Sequence, residues 1–275
     1  MKTKSLIKAA AIAITLTTIS GIPASVFSST ASAALIADDK NHDAKAINII
    51  EASIEALGGR EKLEAIKFMH QTGTIKIPSA GLEGTLETSI VSPDKLRLVV
   101  DIAMMGKTTS GLNDGIVWSM DAMSGPRILP DEEARDLINQ TNLEYVLNFL
   151  ENFPTIEYVE ETEFDGQAAH KIHTIDTDGN ESNDYYSVES GHQIGSEGEA
   201  NTAMGKVNVI LVMREYKEVG GQIQPTKFIQ KIGPMEIFIT TDSAESGPID
   251  DSVFELPAAI QALIKATAAK EKAAP

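Results

Sequence analysis

Hydrophobic positions fall into alternating blocks of two spacings along the chain. Ile47, Ile50, Ile54 and Leu57 recur three or four apart, which places them on one helical face. Asp43 is the expected N-cap of this helix, and Gly58-Gly59 its stop. A shorter helical turn, 60–67, leads into strands. From Phe68 to about Met120 the period becomes two. Ile75 and Ile77, then Leu82, Leu86 and Ile90, then Leu96, Leu98, Val100, Ile102 and Met104 alternate with polar residues. The breaks at Pro78-Ser79-Ala80-Gly81, Ser92-Pro93-Asp94, Gly106 and Asn113-Asp114-Gly115 carry turn chemistry. This block reads as a meander of about five strands. Helical spacing returns after Pro130-Asp131-Glu132-Glu133, with Ala134, Leu137 and Ile138 followed by Leu143, Val146, Leu147 and Leu150. Thr141-Asn142 interrupts the stripe and predicts two helices or a kink. Strands resume from Thr155 to about Thr241, where Val207, Val209, Leu211 and Met213 form the clearest row. Phe254-Glu255-Leu256-Pro257 then runs into a helix over 258–269 and an Ala/Lys tail expected to fray.

The order helix, strands, helical insert, strands, helix predicts an α+β fold. Its center is a large curved antiparallel sheet, an incomplete β-barrel of about 8–11 strands, with helices packed on the concave side. No repeat or low-complexity linker divides it. One domain is expected over 34–257, followed by the C-terminal helix and frayed tail, 258–275.

The first 33 residues read as a signal peptide. Lys2, Lys4 and Lys8 precede an apolar stretch from Ala9 to about Ile22, and small residues lead to Ala31-Ser32-Ala33, with cleavage expected after Ala33. Thr15, Thr17, Thr18, Gly21 and Pro23 break the stretch, so neither a spanning helix nor a permanent membrane anchor is expected. The periplasm, or secretion, is the expected destination. Loss of the three lysines would take the formal net charge from −17 to −20. Such a field repels nucleic acid and anionic membrane surfaces. Cysteine is absent from all 275 residues, which excludes thiol nucleophiles and disulfide exchange.

Motifs for catalysis are weak. His170 and His173 share a predicted strand, where residues three apart face opposite ways and cannot hold one ion. Gly106-Lys107-Thr108 lacks the upstream glycine and following helix of a phosphate loop. The stretch 176–182 has its glycine at the wrong position for a calcium loop and reads as an acidic turn. No Gly-x-Ser-x-Gly elbow occurs. The reading is therefore a non-enzymatic protein with no cofactor and no metal site. The seven methionines beyond Met69 (Met104, Met105, Met120, Met123, Met204, Met213 and Met235) and the one tryptophan, Trp118, suit an adaptable apolar surface. A pocket under the helical insert is expected from Leu98, Val100, Ile102, Met104, Trp118, Met120, Leu147, Leu211 and Met213.

The arrangement resembles the Lol-type periplasmic lipoprotein carriers over about 44–241. Several phrases are similar to a broad group of secreted proteins related to outer-membrane lipoprotein-sorting proteins. They are Ile54-Glu55-Ala56-Leu57-Gly58-Gly59, Pro93-Asp94-Lys95-Leu96-Arg97, Trp118-Ser119-Met120, Tyr216-Lys217-Glu218-Val219-Gly220-Gly221 and Val253-Phe254-Glu255-Leu256-Pro257. The resemblance implies a half-barrel whose inside holds a hydrophobic ligand, a lipid or a lipoprotein's acyl chains. It also implies a lid arginine, for which Arg135 on the insert is the candidate. The chain is longer and more acidic than those carriers. An envelope assembly or stress-sensing factor that binds another protein is the alternative, and a secreted hydrolase a further one.

Overall fold

Fourteen strands form one sheet in the computed structural model of the protein, which describes residues 40–202 and 205–273. The expected signal peptide, Met204 and the last two residues of the tail lie outside the described residues. In chain order the elements are β1 (Asn41–His42), α1 (Ala44–Ala56), α2 (Arg60–Glu64), β2 (Phe68–Ile77), β3 (Leu82–Val91), β4 (Lys95–Ile102), β5 (Gly106–Asn113), β6 (Ile116–Asp121) and β7 (Gly125–Ile128). The insert follows as α3 (Asp131–Thr141) and α4 (Phe149–Asn152). The second half comprises β8 (Thr155–Phe164), β9 (Gln167–Ile175), β10 (Glu181–Ser187), β11 (Gln193–Thr202), β12 (Gly205–Val219), β13 (Gln222–Ile232), β14 (Met235–Glu245) and α5 (Ala258–Ala273).

The sheet order is β1, β8 to β14 in sequence, then β2 to β7. Each half is thus an antiparallel meander, and the β14–β2 pairing fuses them. β1 and β7 are the free edges, so the sheet curves without closing. The strand count exceeds the expected range, and two short edge strands account for most of the excess. β1, which pairs in parallel with β8, has two residues and no periodicity to read. β7 is a four-residue edge strand, Gly-Pro-Arg-Ile, whose proline suits an edge.

Local chemistry sets the helix ends. The Asp43 carboxylate accepts from Lys45 N at 2.6 Å and Ala46 N at 3.3 Å, satisfying two of the orphan donors of α1. After α1, Gly58 and Gly59 take φ of 111° and 85°, which stops the helix. In the insert, α3 ends where Thr141 Oγ1 donates to Leu137 O and the Asn142 side chain accepts from Glu144 N. These side-chain bonds compete with helix, so residues 143–148 form turns where helical spacing predicts a second helix. The C-terminal helix runs to Ala273 rather than stopping near Ala269, and its Ile260 is fully buried.

One face of the sheet carries most of the core. Ile50 and Ile54 of α1 pack with Ile156, Ile172 and Tyr186. Ala134 and Leu137 of α3 pack with Leu96, Leu98, Leu112 and Val117. Each such aliphatic side chain contributes about 1.5–3 kcal/mol when fully buried. The C-terminal segment takes the opposite face. Arg97 donates to Val253 O at 3.4 Å and Asn113 to Phe254 O at 3.1 Å, both from strand positions that point away from Leu96, Leu98 and Leu112.

Candidate functional site: the inner face of the half-barrel

Strand register shows which residues meet inside. Ile172 pairs with Asp184, Asp184 with Ser196, Ser196 with Leu211, Leu211 with Gln230, and Gln230 with Ile237. Directly opposed residues share a face, so this is one row crossing β9 to β14. A second row runs Met213, Phe228, Ile239, Ile75, Gly84 and Ile102. Gln71, Thr88, Leu98, Ser110 and Ser119 form a third. The inner face is therefore continuous across both meanders and mostly apolar, with single polar residues set into it. Gly73, on this face of β2, lies tight against β14: a Cβ there would sit 2.3 Å from Thr240 O.

Two separate covers lie on that face. One is α1, over β8 to β10; the other is α3 with the turns after it, over β4 to β6. The two apolar clusters beneath them are linked through the half-buried Ile66 and Tyr216. Polar ties hold the insert at its margins. Arg135 pairs with Asp178 of the β9–β10 turn at 2.8 Å, and Lys67 pairs with Glu144. Arg60 donates to Leu147 O at 2.9 Å. Tyr145 packs edge-on against Phe153, with ring centroids 5.9 Å apart.

The interior has an acidic corner beneath Tyr145. Asp184 is wholly buried and accepts from Thr174 Oγ1 at 3.1 Å and Gln193 Nε2 at 3.0 Å. Burial pushes its carboxyl up to about 7, against the lowering effect of the Thr174 hydroxyl. Burial also raises Asp176, whose carboxylate accepts from Asp178 N, Asn180 N and Asn180 Nδ2. That carboxylate therefore closes the β9–β10 turn and holds Asp178 in place for Arg135. Burial, and then the field of Asp176, Asp184 and Asp178, raises Tyr145 well above the ordinary tyrosine range.

A neutral polar corner lies on β2, β3 and β13. Gln71 Nε2 donates to Gln224 Oε1 at 2.8 Å, and Gln222 Nε2 donates to the same oxygen at 3.2 Å. Glu215 sits at φ 56°, where β12 kinks and the pairing with β13 skips one residue. Ser246 Oγ donates to Gly220 O at 2.7 Å and fastens the β12–β13 turn to the end of β14.

The residues expected to line a pocket divide. Leu98, Val100, Ile102, Leu211 and Met213 come together in one buried cluster with α3. Leu147 belongs to the other cluster, beside Phe149 and α1. Met104 is not part of the inner row: β4 ends at Ile102, and Met104 occupies the turn at φ 71° with 95% of its surface exposed. Trp118 and Met120 are displaced too. Val117 lies in the inner cluster, so its neighbor Trp118 points to the outer face, as does Met120 two residues on. There Trp118 lies against Gly111, where a Cβ would come within 2.8 Å of the indole. Arg135 is half exposed and acts through its ion pair rather than by lining the interior. His170 faces Tyr158 at 5.9 Å, while His173 approaches Glu181, on the other side of β9. Sequence reasoning missed Tyr145, Asp184, Gln224 and Gln230. For the three strand residues the one signal was period two, with Gln222 and Gln224 in step, and polar residues in step read as a solvent face; Tyr145 lies in the turns after α3 and had no such signal.

No protein-family model matches the sequence, and no curated protein matches it. Solved structures do. A LolA superfamily protein from Nitrosomonas europaea aligns over 77% of this chain and 97% of its own, at 12% identity and a TM-score of 0.51. A DUF1329 family protein from Desulfovibrio piger aligns over 78% of this chain and 98% of its own, at 10% identity and a TM-score of 0.55. At such identities the likeness is one of fold. The chain therefore has a LolA/LolB-like fold, an open, curved α+β half-barrel with helical covers on its inner face.

Proposed function

We propose that this protein is an exported binding or carrier protein that holds a hydrophobic ligand, a lipid or the acyl chains of a lipoprotein, against the inner face of its sheet. The observation that carries the reading is the way that face is covered. Two helical units cover two apolar clusters linked through Ile66 and Tyr216, and the insert is fastened at its margins by polar ties that include Arg135–Asp178 and Lys67–Glu144. Surface ion pairs are weak, about 0–1 kcal/mol, so this tie gives way easily, and the buried contacts of Leu137 and Leu143 would be exchanged for contacts with an apolar ligand rather than lost to water. Lifting it would open Leu98, Val100, Ile102, Leu211 and Met213 as one apolar surface, with Leu147 beside it. The likeness to a LolA superfamily protein supports the same reading. Among the described residues no helix is long and apolar enough to cross a membrane, which accords with a carrier acting in the periplasm after removal of the leader.

Native mass spectrometry of the gently purified protein, followed by solvent extraction, tests this. The expected result is an apolar adduct that extraction removes and that the stripped protein takes up again. A bare polypeptide mass, with no uptake of any lipid offered, would overturn the proposal.

A further inference from the structure

Thr88 Oγ1, Gln224 Nε2 and Gln230 Nε2, all on the inner face, are buried without a partner among the described residues. Their residues are 4%, 3% and 3% exposed. Native interiors rarely keep such groups, because an unmade buried hydrogen bond is costly. Two of the three belong to one place. Thr88 is paired across the strands with Gln71, and Gln71 donates to Gln224. Gln224 Oε1 is already taken by Gln71 and Gln222, which leaves its amide N–H groups free to donate. Met69 and Leu98 flank this corner with apolar surface, and Gln222 Nε2 also approaches Met69 Sδ at 3.9 Å.

We propose that the Gln224–Thr88 corner is a seat for the carbonyl oxygen of a neutral acyl ester or amide. This rests on the carrier reading and names the ligand class within it. The chemistry of the seat selects the group. Gln224 Nε2 offers two N–H donors and Thr88 a hydroxyl that donates or accepts. All four side chains at the corner are neutral amides or hydroxyls, so a carboxylate or phosphate would lose its hydration without gaining a counter-charge. A plain hydrocarbon would leave the donors unpaired. A carbonyl within an acyl chain satisfies them and keeps apolar surface on both sides, against Met69 and Leu98.

Displacement of the hydrocarbon fluorophore diphenylhexatriene from the purified full chain tests the seat. The competitors are methyl oleate, oleate and a hydrocarbon of the same length, each measured on wild type, Thr88→Val and Gln224→Met. Comparing each competitor between proteins cancels its own water solubility. In Thr88→Val, which removes one hydroxyl and keeps the side chain's shape, methyl oleate should weaken about fivefold, the worth of one hydrogen bond, while the hydrocarbon is unchanged. Gln224→Met should weaken it at least as much, with folding checked by circular dichroism. Oleate should lose less than the ester in both variants. Equal loss for ester and hydrocarbon, no loss for the ester in Thr88→Val, or a larger loss for oleate than for the ester would overturn the seat while leaving the carrier reading standing. If wild type binds no diphenylhexatriene or any competitor, the carrier reading fails and takes the seat with it.

Discussion

Arg135 on α3 reaches Asp178 in the β9–β10 turn at 2.8 Å and joins the insert over one meander to the strand ends of the other. The two side chains are 49% and 33% exposed, so the pair is screened by solvent and worth about 0–1 kcal/mol to global stability. Its consequence is local. Arg135→Ala or Asp178→Asn should leave the melting temperature within about 2 °C of wild type while speeding amide exchange in α3 severalfold. The double variant should add little to either single one. Exchange in α3 that stays at the wild-type rate would show that the tie does not restrain the cover.

The pH dependence of stability should carry the mark of Asp184. Its folded pKa, about 7, lies above the ordinary carboxylate value of 3.8. The native state therefore holds more protons than the unfolded chain between those values, and stability falls as pH rises from about 4 to about 7. Asp184→Asn should flatten that slope and raise stability at pH 8 by roughly 1–3 kcal/mol, read from urea melts at several pH values. In that variant Gln193 can still donate to the amide oxygen while the Thr174 hydroxyl turns to accept from the amide N–H, and Tyr145 and Tyr186 lose a neighboring charge. An unchanged slope would place the titration elsewhere.

Gln230 sits between Leu211 and Ile237 on the inner face, its amide nitrogen buried without a partner among the described residues. Gln230→Met keeps the length of the side chain and removes the unmet donor. The ligand-free protein should gain about 1 kcal/mol in chemical denaturation. A loss of more than about 1 kcal/mol would mean that the amide is paired in solution.

Gly111 is fixed by Trp118. A Cβ would approach the indole to 2.8 Å, so Gly111→Ala should destabilize by about 1–3 kcal/mol. Because Trp118 faces outward, its fluorescence should shift in this variant but not when a ligand enters the inner face. A large response of Trp118 to ligand would put the binding surface on the outer face of the sheet instead.

Much of the architecture is legible in the sequence because strand and helix periods differ so clearly. The row Leu96, Leu98, Val100, Ile102 comes out of β4 facing one way. Asp43 and Gly58-Gly59 bound α1 because a carboxylate cap and left-handed glycines are local chemistry. The same logic misleads where pattern outlasts structure. Met104 extends the β4 row by one step, yet the turn back to β5 has already begun. Trp118 lies beside Val117, and only the strand's alternation, fixed by pairing, decides which faces inward. Gln224, Gln230 and Asp184 were invisible because a polar residue at period two reads as solvent-facing unless the other side of the sheet is known to be covered.

An apolar ligand held on the inner face can be located by photocrosslinking. A neutral acyl ester bearing a diazirine in its chain would be equilibrated with the stripped protein, irradiated, and the adducts mapped by peptide mass spectrometry. Adducts on Leu98, Val100, Leu211 and Met213, with Met69 or Leu98 marked when the diazirine lies next to the carbonyl, are the predicted result. Adducts confined to the exposed Met104, Met123, Val159 and Val188 would contradict it.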